Sequence, residues 1–446
     1  MSIAGVRLWD IPSNENTGTE SGFDDHVTTQ FELVCNRRFL RGLYNSVYYF
    51  GAFVGSPLSG WLSDTFGRRK VFVLGSVTFA VLSNIMPWIP NLTAILVLRF
   101  ILGFSQPAMV QSSYTLVMEV FEERWRSTAG IFVFLPWCFE IMLMGGVSSA
   151  VRHWRWQSFY LALPTLVLLL LMWKLDESPR WLIVRGRYTE ALQVLRKAAR
   201  WNNTSLPPTK ELRALMEQIR EKSADSSSTK REGKCGMVRR VLDSFLILLR
   251  TRKIRKITLI TFCLYFITSM GYIGLSLGGD LFSTDPFVYM IISGAMDIPG
   301  TTLIIPVVER FGRRRSNVVL YFLTAMSLLG LSFIPTSYGR VVMTLALLGR
   351  LTLSACYQVI FLHGSELFPT EVRARGMSNA SMMARISAVF TSFLLSALPS
   401  TWSAAPPIII GCACLIASAL THMLPETRGA ALYDTVAALE ATGLSE

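Results

Sequence analysis

Eleven stretches of this sequence are long and apolar enough to cross a lipid bilayer. They lie at about residues 44–63, 71–89, 94–117, 128–150, 156–175, 257–279, 286–308, 316–334, 340–362, 376–398 and 404–424. A helix needs roughly 20 such residues to span the hydrocarbon core, about twice what a barrel strand needs. Inside that core every backbone N–H and C=O must be satisfied by the chain itself. The sequence therefore predicts an all-α polytopic membrane protein with eleven spans. Composition agrees, with 51% hydrophobic and 16% charged residues among 446. The N-terminus has no basic–apolar–cleavage pattern of a targeting peptide.

Two connections between runs share one pattern. Residues 60–70 read GWLSDTFGRRK, with Asp64 before Gly67, Arg68 and Arg69; residues 309–315 read ERFGRRR, with Glu309 before Gly312, Arg313 and Arg314. A short basic turn between apolar runs lies at a membrane surface, and its charge makes that surface cytoplasmic. The four short turns placed inside hold 11 Lys/Arg, and the five placed outside hold three. The segment 176–256 carries +11 of the net +13. That surplus reads as a cytoplasmic loop beside an anionic leaflet, not as a nucleic-acid site. The resulting organisation is an extracellular segment 1–43, a five-span bundle 44–175, the basic loop 176–256, a six-span bundle 257–424 and a cytoplasmic tail 425–446.

Helical spacing inside the loop predicts short amphipathic helices near 188–199, 212–219 and 241–249. Residues 223–230 read as a flexible linker between them. Of the seven cysteines, most lie in apolar runs and read as packing residues. Cys35 would lie outside without an evident partner. No spacing suggests a metal site. Four scattered His and no nucleophile–base pattern argue against an enzyme.

The chain also repeats itself. Asp64 matches Glu309, 245 residues on; Glu119-x6-Arg126 matches Glu366-x6-Arg373, 247 on; and Glu177-Ser178-Pro179-Arg180 is echoed by Glu426-Thr427-Arg428-Gly429, 249 on. Three landmarks at nearly one offset predict two pseudo-symmetric helical bundles, the architecture of transporters that rock about a midplane site. These acid–base pairs at the inner face are expected to lock the two halves together, with helix capping as the plainer alternative.

The motifs resemble those of a known family. Gly60-x3-Asp64-x2-Gly67-Arg68-Arg69 is similar to the signature between the second and third spans of the major facilitator superfamily, and Arg99-x3-Gly103 to its fourth-span motif. Residues 177–182 and 425–429 resemble the half-terminal motifs of sugar porters and organic ion transporters. The stretches 30–35 (QFELVC), 113–119 (SYTLVME) and 364–370 (GSELFPT) resemble the organic cation, anion and carnitine transporters. The resemblance implies a facilitator fold and transport at a plasma membrane. Family members begin with a further span and a large extracellular loop, so eleven of twelve spans are matched.

Charge within a span is expensive and marks function by default. The resemblance places Arg385 where anion and carnitine transporters carry an arginine and cation-selective relatives an acid. A guanidinium fork suits carboxylate or sulfate. Asp297 and Glu140 are available as internal partners of Arg385, or as attractors of a cation or proton. Arg99 and Arg350 read as structural pairing groups. Tyr272, Tyr357, Gln358, Phe361 and Tyr114 are expected to wall the cavity, since flat organic ions suit aromatic surfaces. The reading is a secondary transporter of small organic ions, anions or zwitterions favoured, in a lipid bilayer. No phosphate-binding loop is present and no cofactor is implied. A cation transporter using Asp297 and a truncated, non-transporting membrane protein are the rivals.

Overall fold

A computed structural model of the chain describes residues 30–31, 38–121, 123–151, 153–172, 174–228, 248–282, 285–335, 338–369, 372–397, 404–429 and 436–441. The N-terminal bundle contains α1 (Arg38–Phe66), α2 (Arg68–Ile85), α3 (Leu92–Val120), α4 (Glu123–Ala150) and α5 (Trp154–Met172). Three short helices follow, α6 (Pro179–Val184), α7 (Tyr188–Trp201) and α8 (Thr209–Ser228). The C-terminal bundle holds α9 (Arg252–Leu277), α10 (Pro286–Thr302) continued by α11 (Ile304–Phe311), α12 (Arg313–Phe333), α13 (Gly339–Leu367), α14 (Arg373–Ala397) and α15 (Ala405–His422). A last short helix, α16, spans Val436–Ala441.

Local signals set the ends. Asn91 caps α3, its side chain accepting from the N–H groups of Thr93 and Ala94. Asp285 caps α10 in the same way, with Pro286 at the first helical position. Within the N-terminal bundle α1 lies tightly on α3. Gly51 and Gly55 of α1 and Gly103 of α3 permit it: a Cβ on Gly103 would stand 1.9 Å from the Tyr48 carbonyl oxygen. Helices in lipid gain association from such close backbone approach.

Each bundle has its own core. Tyr44, Tyr48, Phe79, Ile95, Leu102 and Trp154 fill the first; Leu264, Tyr265, Tyr321, Leu328, Leu353 and Cys356 are among those that fill the second. Nine helical segments among the described residues are apolar enough to cross a membrane by length and composition. Two of the eleven expected spans fall short, those in α1 and α14. These two pack against each other across the bundles, so much of their surface meets protein instead of lipid, and polar side chains are tolerated there.

The bundles meet mainly on the face away from the GRR turns. Phe39 stacks on Phe393 at 5.3 Å, and the Ser46 hydroxyl donates to the Val389 carbonyl at 3.3 Å. Along α4 and α10, Ile141 and Met144 pack against Phe287 and Met290. Nearer the turn face Tyr114 and Phe361 meet edge-on across the bundles at 6.3 Å.

The loop helices form a small core of Trp181, Leu182, Ile183, Ala191 and Met216. The expected flexible stretch starts differently: α8 continues as helix through Ser228. Residues 229–247, with most of the third expected loop helix, lie outside the described residues, as do Cys35, Cys235 and nearly all of the segment 1–37.

Candidate functional site

The middle of the C-terminal bundle is built around a buried ion pair. Arg350 of α13 donates through Nε to Asp297 Oδ1 at 3.0 Å and through Nη2 to Oδ2 at 2.7 Å. Both residues are almost wholly buried. The third nitrogen, Nη1, donates to the Tyr272 carbonyl at 3.1 Å and to the Ser276 hydroxyl. The guanidinium also lies 3.7 Å from the centre of the Tyr272 ring. The Tyr272 hydroxyl donates to Asp297 Oδ2 at 2.8 Å and accepts from Trp137 Nε1 at 2.6 Å.

This arrangement corrects the expectation for Asp297. Its carboxylate is neither the partner of Arg385 nor open to a cation. Two guanidinium nitrogens and a phenol occupy its oxygens, and a buried carboxylate so paired is electrically spent. Arg350 pairs structurally as expected, and its partner is Asp297.

Arg99 of α3 is a buried arginine of the other bundle, about one helical turn out of register with Arg350. It donates through Nε to the Tyr44 carbonyl at 2.7 Å and through Nη2 to Asn45 Oδ1 at 3.2 Å, and lies 3.7 Å from the centre of the Tyr44 ring. The oxygen facing Arg99 belongs to an amide.

Arg385 of α14 is half-buried and has no hydrogen bond or ion pair among the described residues. Glu140 of α4 is also half-buried and has no hydrogen bond or ion pair among the described residues. The expected aromatic residues divide into two groups. Tyr357 lies 6.5 Å from Tyr272 and 6.4 Å from Tyr265, ring centre to ring centre. Tyr114 meets Phe134 at 6.1 Å and Phe361 at 6.3 Å. Gln358, beside Tyr357 on α13, is half-buried.

The charged turns form two matching clusters. Arg68 pairs with Asp64 at 2.9 Å and with Glu119 at 3.2 Å. Glu177 accepts from the backbone N–H groups of Arg68 at 2.9 Å and Arg69 at 3.1 Å. In the other bundle Arg313 pairs with Glu366 at 2.9 Å, and Glu426 accepts from the N–H groups of Arg313 at 2.9 Å and Arg314 at 3.2 Å. Burial acts to raise the pKa of Glu426, but the backbone donors of Arg313, Arg428 and Thr427 outweigh it and hold the carboxyl below the ordinary glutamate range. Gly67 and Gly312 turn the chain at φ 108° and 89°.

Three expectations change here. Each cluster closes within its own bundle, so the described pairs staple neighbouring spans and do not bridge the halves. Glu309 is exposed and, unlike Asp64, makes no ion pair among the described residues. Arg180 is exposed too, and no described ion pair holds it. Arg373 Nε donates to the Phe368 carbonyl at 3.3 Å, and Arg428 donates to the Arg310 carbonyl at 2.5 Å. The Arg126 side chain lies outside the described residues.

Comparison with known proteins bears on this geometry. Residues 12–438 match the sequence model of the sugar (and other) transporter family. Human solute carrier family 22 member 13 is 31% identical over 98% of this chain and 77% of its own length. The chain belongs to solute carrier family 22. Human member 2 is 30% identical over 92% of the chain and 71% of its own length. An organic cation transporter protein of Drosophila melanogaster is 29% identical over 93% and 74%. Among solved structures, the xylose transporter of E. coli in an inward-open conformation aligns with a TM-score of 0.72 at 20% identity, covering 91% of this chain and 90% of that one. This family 22 chain therefore has the major facilitator fold and is a membrane transporter of that type.

Several participants escaped the sequence reading. Trp137, Ser276 and Asn45 sit in apolar runs with nothing local to mark them. Arg185 donates to the Asp64 and Thr65 carbonyls, and Trp181 Nε1 donates to the Asp64 carbonyl, so both satisfy the end of α1. Their signal was their place beside the Glu177-Ser178-Pro179-Arg180 motif.

Proposed function

We propose that this chain carries small organic ions, anions or zwitterions in preference, across the plasma membrane by alternating access, with Arg385 receiving the substrate's carboxylate or sulfate. One observation carries the reading. Among the intramembrane cations, Arg350 is neutralised by Asp297, while Arg385 has no described acid beside it. An arginine is always charged, and a planar fork in a low-dielectric space attracts a bidentate oxyanion. Arg99 adds a second cation whose described side-chain partner is an amide, so the interior leans positive.

Glu140 supports the zwitterion half of this reading, since it offers an acid in the opposite bundle. The aromatic walls at Tyr272–Tyr357 and Tyr114–Phe361 suit the flat body of such a substrate. The basic turns favour a cytoplasmic placement of their face and of the 176–256 loop. The crevice between the bundles would then open inward. The test is uptake of a labelled aromatic carboxylate by cells expressing the chain. Arg385→Ala is expected to abolish uptake at unchanged surface abundance; undiminished uptake would overturn the anion reading.

A further inference from the structure

The hydrogen bond from Trp137 to Tyr272 joins a side chain of one bundle to a side chain of the other, between the long apolar helices α4 and α9. Its chemistry is fixed by counting. An indole N–H can only donate, and a phenol has one proton with acceptor capacity to spare. The Tyr272 proton is committed to Asp297 Oδ2 at 2.8 Å, so the 2.6 Å contact is Trp137 donating into the remaining acceptor side of the hydroxyl.

Tyr272 is held from three sides by its own bundle. Arg350 covers one ring face at 3.7 Å and donates to the backbone carbonyl at 3.1 Å, and Asp297 accepts a hydrogen bond from the hydroxyl. It is a fixed post. Trp137 is different. It is 38% exposed and stands on α4 just before the stretch whose Ile141 and Met144 pack on α10. Any motion that separates α4 from α10 at this level must also break the bond.

We propose that Trp137 is a positioning residue that latches the two bundles in the arrangement seen here, closed away from the GRR turns. The Asp297–Arg350 pair keeps the Tyr272 hydroxyl aimed at it. When the bundles rock apart, the Tyr272 oxygen exchanges the indole N–H for water or for a donor on the substrate. Removing the donor weakens the closed contact. The role of this latch in a transport cycle rests on the alternating-access reading above, but its existence as an inter-bundle contact does not.

The test is hydrogen–deuterium exchange of the full chain in lipid nanodiscs without substrate, comparing wild type with Trp137→Phe, Tyr272→Phe and the double variant. Losing one net hydrogen bond changes an opening equilibrium by roughly two- to tenfold. Exchange in residues 138–147 and 287–294 is expected to rise by that factor in each single variant. The double variant is expected to rise no further than Tyr272→Phe alone, because both singles remove the same inter-bundle bond and Tyr272→Phe also removes the hydroxyl's bond to Asp297. Unchanged exchange in the single variants, or a double effect equal to the product of the two, would overturn the latch. Tyr272→Phe reaches the same bond from the other bundle, so it provides the reading if Trp137→Phe fails to fold. Because no substrate is present, an unchanged uptake in Arg385→Ala would sink the anion reading and leave this result standing.

Discussion

Asn45 of α1 and Asp297 of α10 each give a side-chain oxygen to a buried arginine, from the helix that leads towards the GRR turn of its own bundle. Asn45 faces Arg99 at 3.2 Å, and Asp297 faces Arg350 at 2.7 Å. Each bundle thus buries one arginine against the helix before its GRR turn, with an amide in one and a carboxylate in the other, although Asn45 lies 22 residues before Gly67 and Asp297 15 before Gly312. A guanidinium in this fold is therefore held acceptably by an amide oxygen. Asp297→Asn is expected to fold and reach the surface with a modest loss. Asp297→Ala leaves Arg350 buried without its acid, which costs about 3–5 kcal/mol, and is expected to lose most folded protein. Thermal midpoints and surface abundance of the two variants check this.

Arg385→Lys separates charge from shape. Lysine keeps the cation but not the planar fork. Uptake of an aromatic carboxylate is expected to persist with KM raised roughly tenfold, the equivalent of about one charge-assisted hydrogen bond. An equal KM in wild type and Arg385→Lys would mean that charge alone is read.

Much of the fold was legible because membrane insertion leaves few options. Long apolar runs must be helices, and basic turns must sit at one surface, so spans and repeat followed from pattern alone. The inner clusters were half legible. Asp64, Glu119, Glu177 and their counterparts were visible as motifs, but sequence spacing suggested Glu119 with Arg126, while the folded chain brings Arg68 to Glu119. Partner choice depends on how spans pack, and packing is not local. The same limit hid the Arg350–Asp297 pair, whose members are 53 residues apart, and Trp137, whose partner lies in the other bundle. The two spans of lowest hydropathy, α1 and α14, were legible as helices but not as the pair that meets across the molecule.

Glu426 makes a prediction in pH. Its folded pKa is depressed by backbone donors that outweigh burial. A depressed acid contributes stability that is present above its unfolded value, about 4.3, and is lost as pH falls through the folded value. Glu426→Gln is expected to lower the thermal midpoint by a few degrees at pH 7, and the gap from wild type is expected to close as pH falls below about 4. Differential scanning fluorimetry in detergent at the two pH values measures it. A gap that widened in acid would contradict the sign.

Gly67 and Gly312 test whether the inner clusters are separate. Both hold positive φ with extended ψ, a region essentially reserved for glycine, where another residue costs about 1–3 kcal/mol. A Cβ would also stand 2.3 Å from Glu177 Oε2 at Gly67 and 2.6 Å from Glu426 Oε2 at Gly312. Each carboxylate would then have to leave the N–H groups it caps. Gly67→Ala and Gly312→Ala are each expected to destabilise the chain. Because the described pairs of each cluster stay inside one bundle, the two losses should add to within about 0.5 kcal/mol in the double variant. If the clusters instead locked the bundles to each other, the first substitution would already break the lock and the second would cost far less. Urea-induced unfolding of the single and double variants, followed by tryptophan fluorescence, distinguishes the two results.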